Sequence, residues 1–406
     1  MLFLYNLGIR LYTVLIQMAS LKSFKAKAWI QGRKDIFKQI QDQILPGSQH
    51  IWFHFASLGE FEQGRPVLEG MRHRYPEKRI LVTFFSPSGY EVRKNSPLAD
   101  HIFYLPVDSK KNAARFIELV NPSMAVFTKY EYWFHYFTEL KRREIPLYII
   151  SGIFRESQPF FKWYGGLHRK MLECVTYFFV QNGESRHLLE GLNIKNVVVS
   201  GDTRFDRVYE NAQNPKQLKE IEAFCGNHPV FIAGSTWLPD EKILSVLVSR
   251  FSGWRFIIAP HEIGEIRIKE IEELFKDNIR YSNLTVSGTL ARTLIIDNIG
   301  MLSLLYPYGS IAYIGGGFGA GIHNTLEAAA FGKPVIFGPN YQKFQEAKDL
   351  IEMEAAFSIK DENELNNISE KLKNEIYREK CGSKARNYVE EKIGATQTIL
   401  LHISDL

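Results

Sequence analysis

Apolar runs of strand length alternate with helix-like segments along most of this 406-residue chain, and the alternation occurs twice. The first series runs from IWFHFAS to NVVVSG, and the second runs from PVFIAGS to KPVIFG. Strands that alternate with helices predict a parallel sheet with helices on both faces. We therefore predict an α/β protein with two Rossmann-like, doubly wound parallel-sheet domains that face each other across a cleft. Ligands are expected at the C-terminal ends of the strands.

A polar stretch with few apolar residues separates the two series and predicts a helical linker at 206–228. The first domain is then expected at 46–205 and the second at 229–406. The last helix of the chain is a candidate for crossing back to the first domain. Residues 1–40 form a separate apolar and basic segment.

Charge and cysteine spacing exclude two classes of protein. The formal net charge is +5, but residues 1–40 carry seven basic side chains and one acid, so the remainder sums to about −1. A body without net positive charge is not that of a nucleic-acid binder. Cys174, Cys225 and Cys381 are far apart and show no CxxC spacing, which argues against a disulfide framework or a zinc site and fits a reducing compartment.

The N-terminal sequence MLFLYNLGIRLYTVLIQMAS predicts an amphipathic helix. Its polar residues recur at helical spacing and form one stripe. They are Asn6, Arg10, Thr13, Gln17 and Ser20. A membrane span needs about 20 nearly uncharged residues, and Arg10 interrupts this one. With the basic stretch 22–38 behind it, the helix is expected to lie on an anionic membrane surface. The alternatives are a cleaved signal peptide and a helix packed on the protein's own core.

The densest motif of the second half is SIAYIGGGFGAGIHNTLE, a strand that runs into a glycine cluster and then a helix. Glycines allow backbone amides to approach a phosphate, and a helix N-terminus adds partial positive charge. The candidate phosphate contacts are Ser235, Thr236, Gly316 and Gly317. The two hydroxyl residues could instead cap the next helix. A dinucleotide fingerprint also matches Gly315–Ala320, but the following strand ends in Asn340 rather than in an acid.

Two positions in the second half allow both a structural and a functional interpretation. Asn324 is a candidate N-cap, and Glu327 completes a capping-box-like pair. Alternatively, Glu327 receives ribose hydroxyls while the helix end faces a phosphate. His261 follows a strand, where it either contacts a ligand or is structural.

The stretch HFASLGEFEQGRP places Glu60 after a small-residue turn, where a buried strand gives way to a helix. A carboxylate there either stabilises the helix or takes the proton of an acceptor hydroxyl. The helix dipole lowers the pKa of such a base, so burial or a nearby acid must offset it, and Glu131 is the expected neighbour. Arg204 either neutralises a leaving phosphate or pairs with Asp202 or Asp206.

Several motifs in this order resemble those of 3-deoxy-D-manno-octulosonic acid (Kdo) transferases, which are glycosyltransferases of lipopolysaccharide synthesis. The matching segments are HFASLGEFEQGRP, LVTFFSPSGYE, YLPVD, EYW, VSGDTRFD, AGSTW and HNTLEAAAFGKPVIFGP. The resemblance covers nearly the whole chain and implies the two-domain GT-B fold. Where the family usually reads ETELWP this chain reads KYEYWF, with Lys129 and Phe134 in place of an acid and a proline.

The resemblance also implies roles for individual residues. Glu60 would be the general base on the acceptor sugar hydroxyl, and Glu131 and Arg204 would stabilise the transition state. The residues expected at the CMP site are Pro260, His261, Gly300, Met301, Leu302, Asn324, Thr325, Leu326 and Glu327.

The implied donor is CMP-Kdo, and the implied acceptor is the lipid A precursor (lipid IVA), a phosphorylated and acylated glucosamine disaccharide. No cofactor is expected, because CMP-Kdo is the donor substrate. No metal is expected either, because the chain has no DxD motif. The implied location is the cytoplasmic face of the bacterial inner membrane. The alternatives are another GT-B nucleotide-sugar transferase or epimerase, a non-catalytic lipid-surface binding module and, less favoured, a dehydrogenase.

Overall fold

The computed structural model describes residues 1–286 and 289–403 of the chain. Contacts between Cα atoms divide it into two compact units. The first comprises Met1–Arg207 together with Ile393–Leu406, and the second comprises Val208–Lys392. The boundary falls inside helix α10 (Thr203–Gln213). The stretch 206–228 holds most of α10 and all of α11 (Lys219–Cys225).

The first unit contains a seven-stranded sheet in which every neighbouring pair is parallel. Its strands are β1 (His50–Phe55), β2 (Arg79–Phe84), β3 (His101–Tyr104), β4 (Pro122–Thr128), β5 (Leu147–Gly152), β6 (Tyr177–Val180) and β7 (Val197–Val199). Their order is β3-β2-β1-β4-β5-β6-β7. All six residues of β1 are buried, as expected for a parallel sheet covered on both faces. Trp52 and Phe53 accordingly belong to two different apolar clusters, one on each face.

Helices cover both faces of this sheet. They are α1 (Leu2–Ala19), α2 (Phe24–Gln31), α3 (Ile36–Gln43), α4 (Leu58–Arg74), α5 (Pro87–Arg93), α6 (Lys110–Val120), α7 (Phe134–Arg142), α8 (Gly166–Leu172) and α9 (Gly183–Glu190). A 3-10 turn spans Pro159–Phe161. Arg33, in the segment predicted to be basic surface, donates to the carbonyl oxygens of Trp29, Phe85 and Leu105. The guanidinium of Arg33 therefore makes these three hydrogen bonds within the first unit.

The second unit repeats the architecture with a second all-parallel, seven-stranded sheet. Its strands are β8 (Val230–Thr236), β9 (Arg255–Pro260), β10 (Asn278–Arg280), β11 (Thr293–Ile295), β12 (Ile311–Ile314), β13 (Val335–Phe337) and β14 (Ala356–Ser358). Their order is β10-β11-β9-β8-β12-β13-β14. The predicted architecture of two doubly wound parallel sheets is confirmed.

The helices of the second unit follow the same alternation. They are α12 (Leu238–Arg250), α13 (Glu265–Leu274), α14 (Leu302–Leu305), α15 (Leu326–Ala330), α16 (Gln345–Glu352), α17 (Glu362–Lys373) and α18 (Glu375–Glu390). Two 3-10 turns span Tyr281–Asn283 and Tyr306–Tyr308.

The last helix, α19 (Ala395–Ile403), is grouped with the first unit. The carboxylate of Asp206 accepts hydrogen bonds from the N–H groups of Gly394 and Thr396, both at 2.6 Å, and so caps α19. Ile399 is fully buried in an apolar cluster of the first unit. The sequence offered Asp202 and Asp206 as partners of Arg204. Asp206 is instead hydrogen-bonded to the start of α19.

Candidate active site

Each sheet reverses its strand order at one point, and ligands of doubly wound folds bind at that point beyond the strand C-termini. In the first sheet the reversal lies between β1 and β4, and in the second it lies between β8 and β12. Glu60 follows β1 and Glu131 follows β4, while Ser235 and Thr236 end β8. Four of the candidate residues thus lie at the two reversal points.

Glu60 is held at the N-terminus of α4 in a half-buried position. Its Oε2 accepts a hydrogen bond of 2.6 Å from the N–H of Ala56, and the N–H of Ser57 also favours the ionised form. Burial nevertheless raises the pKa of Glu60 from 4.5 to about 7, and the charge of Glu131 acts in the same direction. The carboxylate caps the helix and also has the pKa of a general base that works near neutrality.

Glu131 is held by two donors that meet on one of its oxygen atoms. The indole N–H of Trp133 donates to Oε2 at 3.0 Å, and Nε2 of His54 lies 3.3 Å from the same atom. His54 is fully buried in β1. Among the described residues, no hydrogen bond engages Oε1 of Glu131. One face of this carboxylate is therefore fixed, and the other oxygen is left for a ligand.

Arg204 forms an ion pair with Asp202 rather than with Asp206. Its Nε and Nη2 lie 2.8 and 2.7 Å from Oδ2 of Asp202, and Gln63 of α4 donates to Oδ1 at 2.8 Å. Burial opposes ionisation of Asp202, but Arg204 outweighs it and holds the pKa of Asp202 below its ordinary value. The guanidinium is anchored in this way while its side chain keeps about 31% of its exposure.

Lys129 connects these groups electrostatically. It directly follows β4 and has a left-handed conformation with φ of +60°. Its charge lowers the pKa of Glu60 and also that of Asp202, so it lies near both carboxylates. The first unit therefore brings the three predicted catalytic residues, Glu60, Glu131 and Arg204, to one edge of its sheet.

Replacing Lys129 by Gln is expected to move the rising limb of the pH–rate profile to higher pH by about one unit. The reason is that the cation stabilises ionised Glu60, and its loss raises the pKa of that base further. The profile of kcat against pH measures the shift. Lys78→Gln is the control, because Lys78 precedes β2 at the opposite edge of the sheet. Identical profiles for Lys129→Gln and the native protein would contradict the assignment.

In the second unit, two of the four candidate phosphate contacts are already hydrogen-bonded to buried carboxylates. The N–H of Gly316 donates to Oδ2 of Asp240 at 3.0 Å. The hydroxyl of Thr236 is buried and donates to Glu241 at 2.9 Å. These two groups are therefore not free to donate to a phosphate, and both hold the end of the sheet together.

The glycines next to them are required by close backbone packing. A Cβ atom on Gly315 would lie 2.3 Å from the carbonyl oxygen of Ser235, and one on Gly317 would lie 2.6 Å from the backbone of Gly338. Of the four candidates, Ser235 keeps a hydroxyl that makes no hydrogen bond within the described residues. Its φ of +54° interrupts the register between β8 and β9.

His261 forms part of an aromatic stack. Its ring lies 4.7 Å from that of Trp237 and 4.6 Å from that of His323, each nearly parallel to it. The indole N–H of Trp237 donates to Nε2 of His323 at 3.3 Å, so the proton of neutral His323 is on Nδ1. Burial lowers the pKa of His323 and favours this neutral form. The stack offers a flat, partly exposed surface of the kind on which nucleobases stack.

The helix for which Asn324 is the predicted N-cap begins at Leu326, one residue later than that prediction implies. Thr325 is the N-cap of α15, and Oδ1 of Asn324 accepts from the N–H of Leu326 at 3.1 Å. Nδ2 of Asn324 donates to Oε1 of Glu327 at 3.1 Å. Thr325 and Leu326 are fully buried, so their contacts with a ligand would run through the backbone. Asn324 is exposed and Glu327 is half-buried.

The remaining candidates of the CMP site shape the ends of the strands. Gly300 has φ of +90°, a conformation that favours glycine. Met301 and Pro260 are buried. Leu302 packs against Gly234, where an added Cβ would lie 2.6 Å from its side chain.

Sequence reasoning missed several polar residues of these sites. The missed residues are His54, Gln63, Thr83, Trp237, Asp240 and His323. His54 and Thr83 lie inside apolar strands, where a polar residue is itself a signal.

Among the described residues, no group of three or more His, Cys, Asp or Glu could hold a metal ion.

Two doubly wound parallel-sheet domains with sites at the reversal points define the GT-B class of α/β proteins. A solved structure with the same fold is MurG of Acinetobacter baumannii, with a TM-score of 0.55 and 12% identity. The alignment covers 88% of this chain and all of that one.

Comparison with known sequences identifies the family within this class. The model of the 3-Deoxy-D-manno-octulosonic-acid transferase (kdotransferase) family matches residues 30–207. The 3-deoxy-D-manno-octulosonic acid transferase of Chlamydophila psittaci is 30% identical over 73% of this chain and 71% of its own length. The chain therefore belongs to the Kdo transferase family, a family of glycosyltransferases.

A bifunctional glycosyltransferase/methyltransferase of Fusobacterium nucleatum is 27% identical over 86% of this chain. The alignment spans 56% of that relative's length.

Proposed function

We propose that this protein transfers Kdo from CMP-Kdo to the lipid A precursor, with Glu60 as the general base. The observation that carries the proposal is the half-buried carboxyl of Glu60 at the strand reversal of the first sheet, with a pKa raised to about 7. Family membership supports the donor sugar, and the exposed apolar face of α1 supports a lipid acceptor.

The proposed reaction is a single displacement. Glu60 takes the proton of the acceptor hydroxyl while that oxygen forms a bond to the anomeric carbon of Kdo. The bond between this carbon and the phosphate oxygen breaks, and its electron pair leaves with CMP. Positive charge and oriented dipoles stabilise the developing charge. We assign this role to Arg204, which is anchored through Asp202.

We assign CMP to the reversal point of the second sheet. The ring stack of Trp237, His261 and His323 suits a pyrimidine base. Glu327, next to exposed Asn324, suits the ribose hydroxyls. The hydroxyl of Ser235 suits the phosphate, because the hydroxyl of Thr236 and the N–H of Gly316 are already used.

The orientation of α1 supports an acceptor at a membrane surface. Its polar side faces the first unit, where Tyr5 donates to Asp108 at 2.6 Å and His135 donates to Asn6 at 2.7 Å. Its opposite side is apolar and exposed. The exposed residues include Leu4, Leu7, Leu11, Leu15 and Met18. None of the residues of α1 is buried, so it is not a core helix. Among the described residues, it is the helix long and apolar enough to cross a membrane.

A groove of about 690 Å³ lies between the polar side of α1 and the start of α6. Arg10, Lys110 and Lys111 line it and are exposed. Their positive charges complement phosphate groups of an anionic lipid. We propose that the protein acts at the cytoplasmic face of the inner membrane, with α1 lying in its surface.

Replacing Leu11 and Leu15 by Glu is expected to weaken binding to anionic vesicles by more than about tenfold, because each leucine contributes apolar area that leaves water in the membrane. Co-sedimentation with phosphatidylglycerol vesicles measures the binding. Ile266→Glu is the control, since Ile266 is equally apolar and 80% exposed but lies on α13. Equal binding by the double variant and the native protein would refute the role of α1.

The function is tested by incubating the protein with CMP-Kdo and lipid A precursor and counting additions by mass spectrometry. The expected product is heavier by one or more Kdo units, and release of CMP accompanies it. A chelator is expected to leave the rate unchanged. CMP release without a heavier lipid would refute the proposed acceptor.

Calorimetric titration with CMP and with UMP tests the nucleotide separately. We expect CMP to bind more tightly. Preference for UMP would favour another nucleotide-sugar transferase or an epimerase, and retained vesicle binding without nucleotide binding would favour a non-catalytic module.

A further inference from the structure

A line of buried polar groups runs behind Glu131 through two neighbouring strands of the first sheet, β1 and β2. Trp52 of β1 donates its indole N–H to Oγ1 of Thr83 in β2 at 2.8 Å. Nδ1 of His54 lies 2.8 Å from the same hydroxyl, and Nε2 lies 3.3 Å from Oε2 of Glu131 beyond β4. All three side chains before Glu131 are fully buried. Such a network is costly unless each member is satisfied.

The distances in the network favour one tautomer of His54, with its proton on Nε2. The hydroxyl of Thr83 accepts from Trp52, so its own hydrogen is free to donate to Nδ1 of His54. The alternative acceptor for that hydrogen, the carbonyl of Phe53, lies farther away at 3.4 Å. With Nδ1 as acceptor, the ring proton is on Nε2 and points to the carboxylate of Glu131.

We infer that His54 is a positioning residue of the transfer reaction: its Nε2–H, oriented by Thr83, holds Oε2 of Glu131 so that Oε1 faces the substrate beside Glu60. The inference rests on the proposed function, because it names a positioning group for the same site. His54 itself touches no substrate in this scheme.

The position of Glu131 affects the pKa of Glu60. Titratable or charged groups near it are His54 of β1, Glu60 of α4, Lys129 directly after β4, and Tyr5 and Tyr12 of α1. Glu131 raises the pKa of Glu60, whereas Lys129 lowers it. A displaced Glu131 would act less on Glu60, so the base would titrate at lower pH and the fixed carboxylate oxygen would be lost.

The same strand provides a control for the purely structural role of a buried histidine. His50 of β1 is fully buried, and its Nδ1 lies 2.6 Å from the carbonyl oxygen of Val120. It lies at the opposite end of the strand from Glu131. Loss of either ring removes a buried aromatic group, but only the loss of His54 releases Glu131.

The test compares His54→Leu, His54→Gln and His50→Leu in full-length protein. We expect His54→Leu to lower kcat by about 10- to 100-fold with little change in KM for CMP-Kdo. Its rising pH limb should move to lower pH. Gln retains a side-chain N–H near the position of Nε2 and should restore part of kcat. His50→Leu should lower Tm without moving the profile. Equal kcat and equal profiles for His54→Leu and His50→Leu would overturn the inference.

A measurement without turnover separates this inference from the proposed function. Glu60→Gln is combined with His54→Leu, and unfolding by denaturant is followed at pH 8. If Glu131 is held by His54, the shift in midpoint caused by Glu60→Gln should be smaller in the His54→Leu background. An undiminished shift would overturn the inference even if Kdo transfer is established, and a diminished shift supports it even if another sugar is transferred.

Discussion

Glu60→Gln is expected to lower kcat for Kdo transfer by about 10³-fold, because the amide cannot accept the proton of the acceptor hydroxyl. KM for CMP-Kdo should change little, since the nucleotide is assigned to the second unit. The side-chain oxygen of the introduced glutamine can still accept a hydrogen bond from the N–H of Ala56, so the cap of α4 is retained. Steady-state kinetics with lipid A precursor measure the loss. Glu62→Gln, a half-exposed neighbour on α4 that pairs with Arg93, is the matched control.

The same substitution should stabilise the fold at alkaline pH. A carboxyl whose pKa is raised by folding contributes most below its unfolded pKa of 4.5, and that contribution is lost as pH rises through about 7. The difference corresponds to about 3 kcal/mol at pH 8. Glu60→Gln should therefore unfold at higher denaturant than the native protein at pH 8 and similarly near pH 4. Full activity, or a lower midpoint at pH 8, would contradict the role of Glu60.

The architecture was predictable because strand-length apolar runs alternate with helices throughout the chain. In parallel strands buried on both faces, apolar continuity is the dominant sequence signal, and β1 and β8 both show it. The location of the candidate catalytic residues followed for the same reason. Glu60 lies in the first turn of the helix that follows β1, and Glu131 lies three residues after β4, so a parallel sheet brings them to one edge.

The hydrogen-bond partners of individual polar groups were not predictable from the sequence. The glycine cluster indicates close backbone approach, but the sequence does not reveal that Gly315 approaches Ser235 or that the N–H of Gly316 is used by Asp240. Asp240 lies in α12, far from these glycines in sequence. Only the folded sheet brings these residues together. The direction in which α1 presents its apolar side likewise depends on Tyr5 and Asp108, which are distant in the chain.

Replacing Arg204 by Met is expected to lower kcat by about 100-fold, because a cation placed near the leaving phosphate acts mainly on charge that develops in the transition state. The side chain is anchored by two contacts to Asp202, so little ordering is needed during the reaction. Single-turnover rates with saturating CMP-Kdo measure the effect on the chemical step. Substitution by Lys should recover only part of it, since an ammonium cannot reproduce the paired guanidinium geometry.

The single variant leaves Asp202 as a buried carboxylate without its partner, which alone could disturb α4 through Gln63. The double variant Asp202→Asn with Arg204→Met removes both charges while an amide still reaches Gln63. If Arg204 acts on the leaving phosphate, the double variant is folded and as slow as Arg204→Met, whereas Asp202→Asn alone keeps most of kcat because the cation remains. If activity instead returns in the double variant, the loss in Arg204→Met came from an unpaired Asp202, and the leaving-group role of Arg204 is wrong.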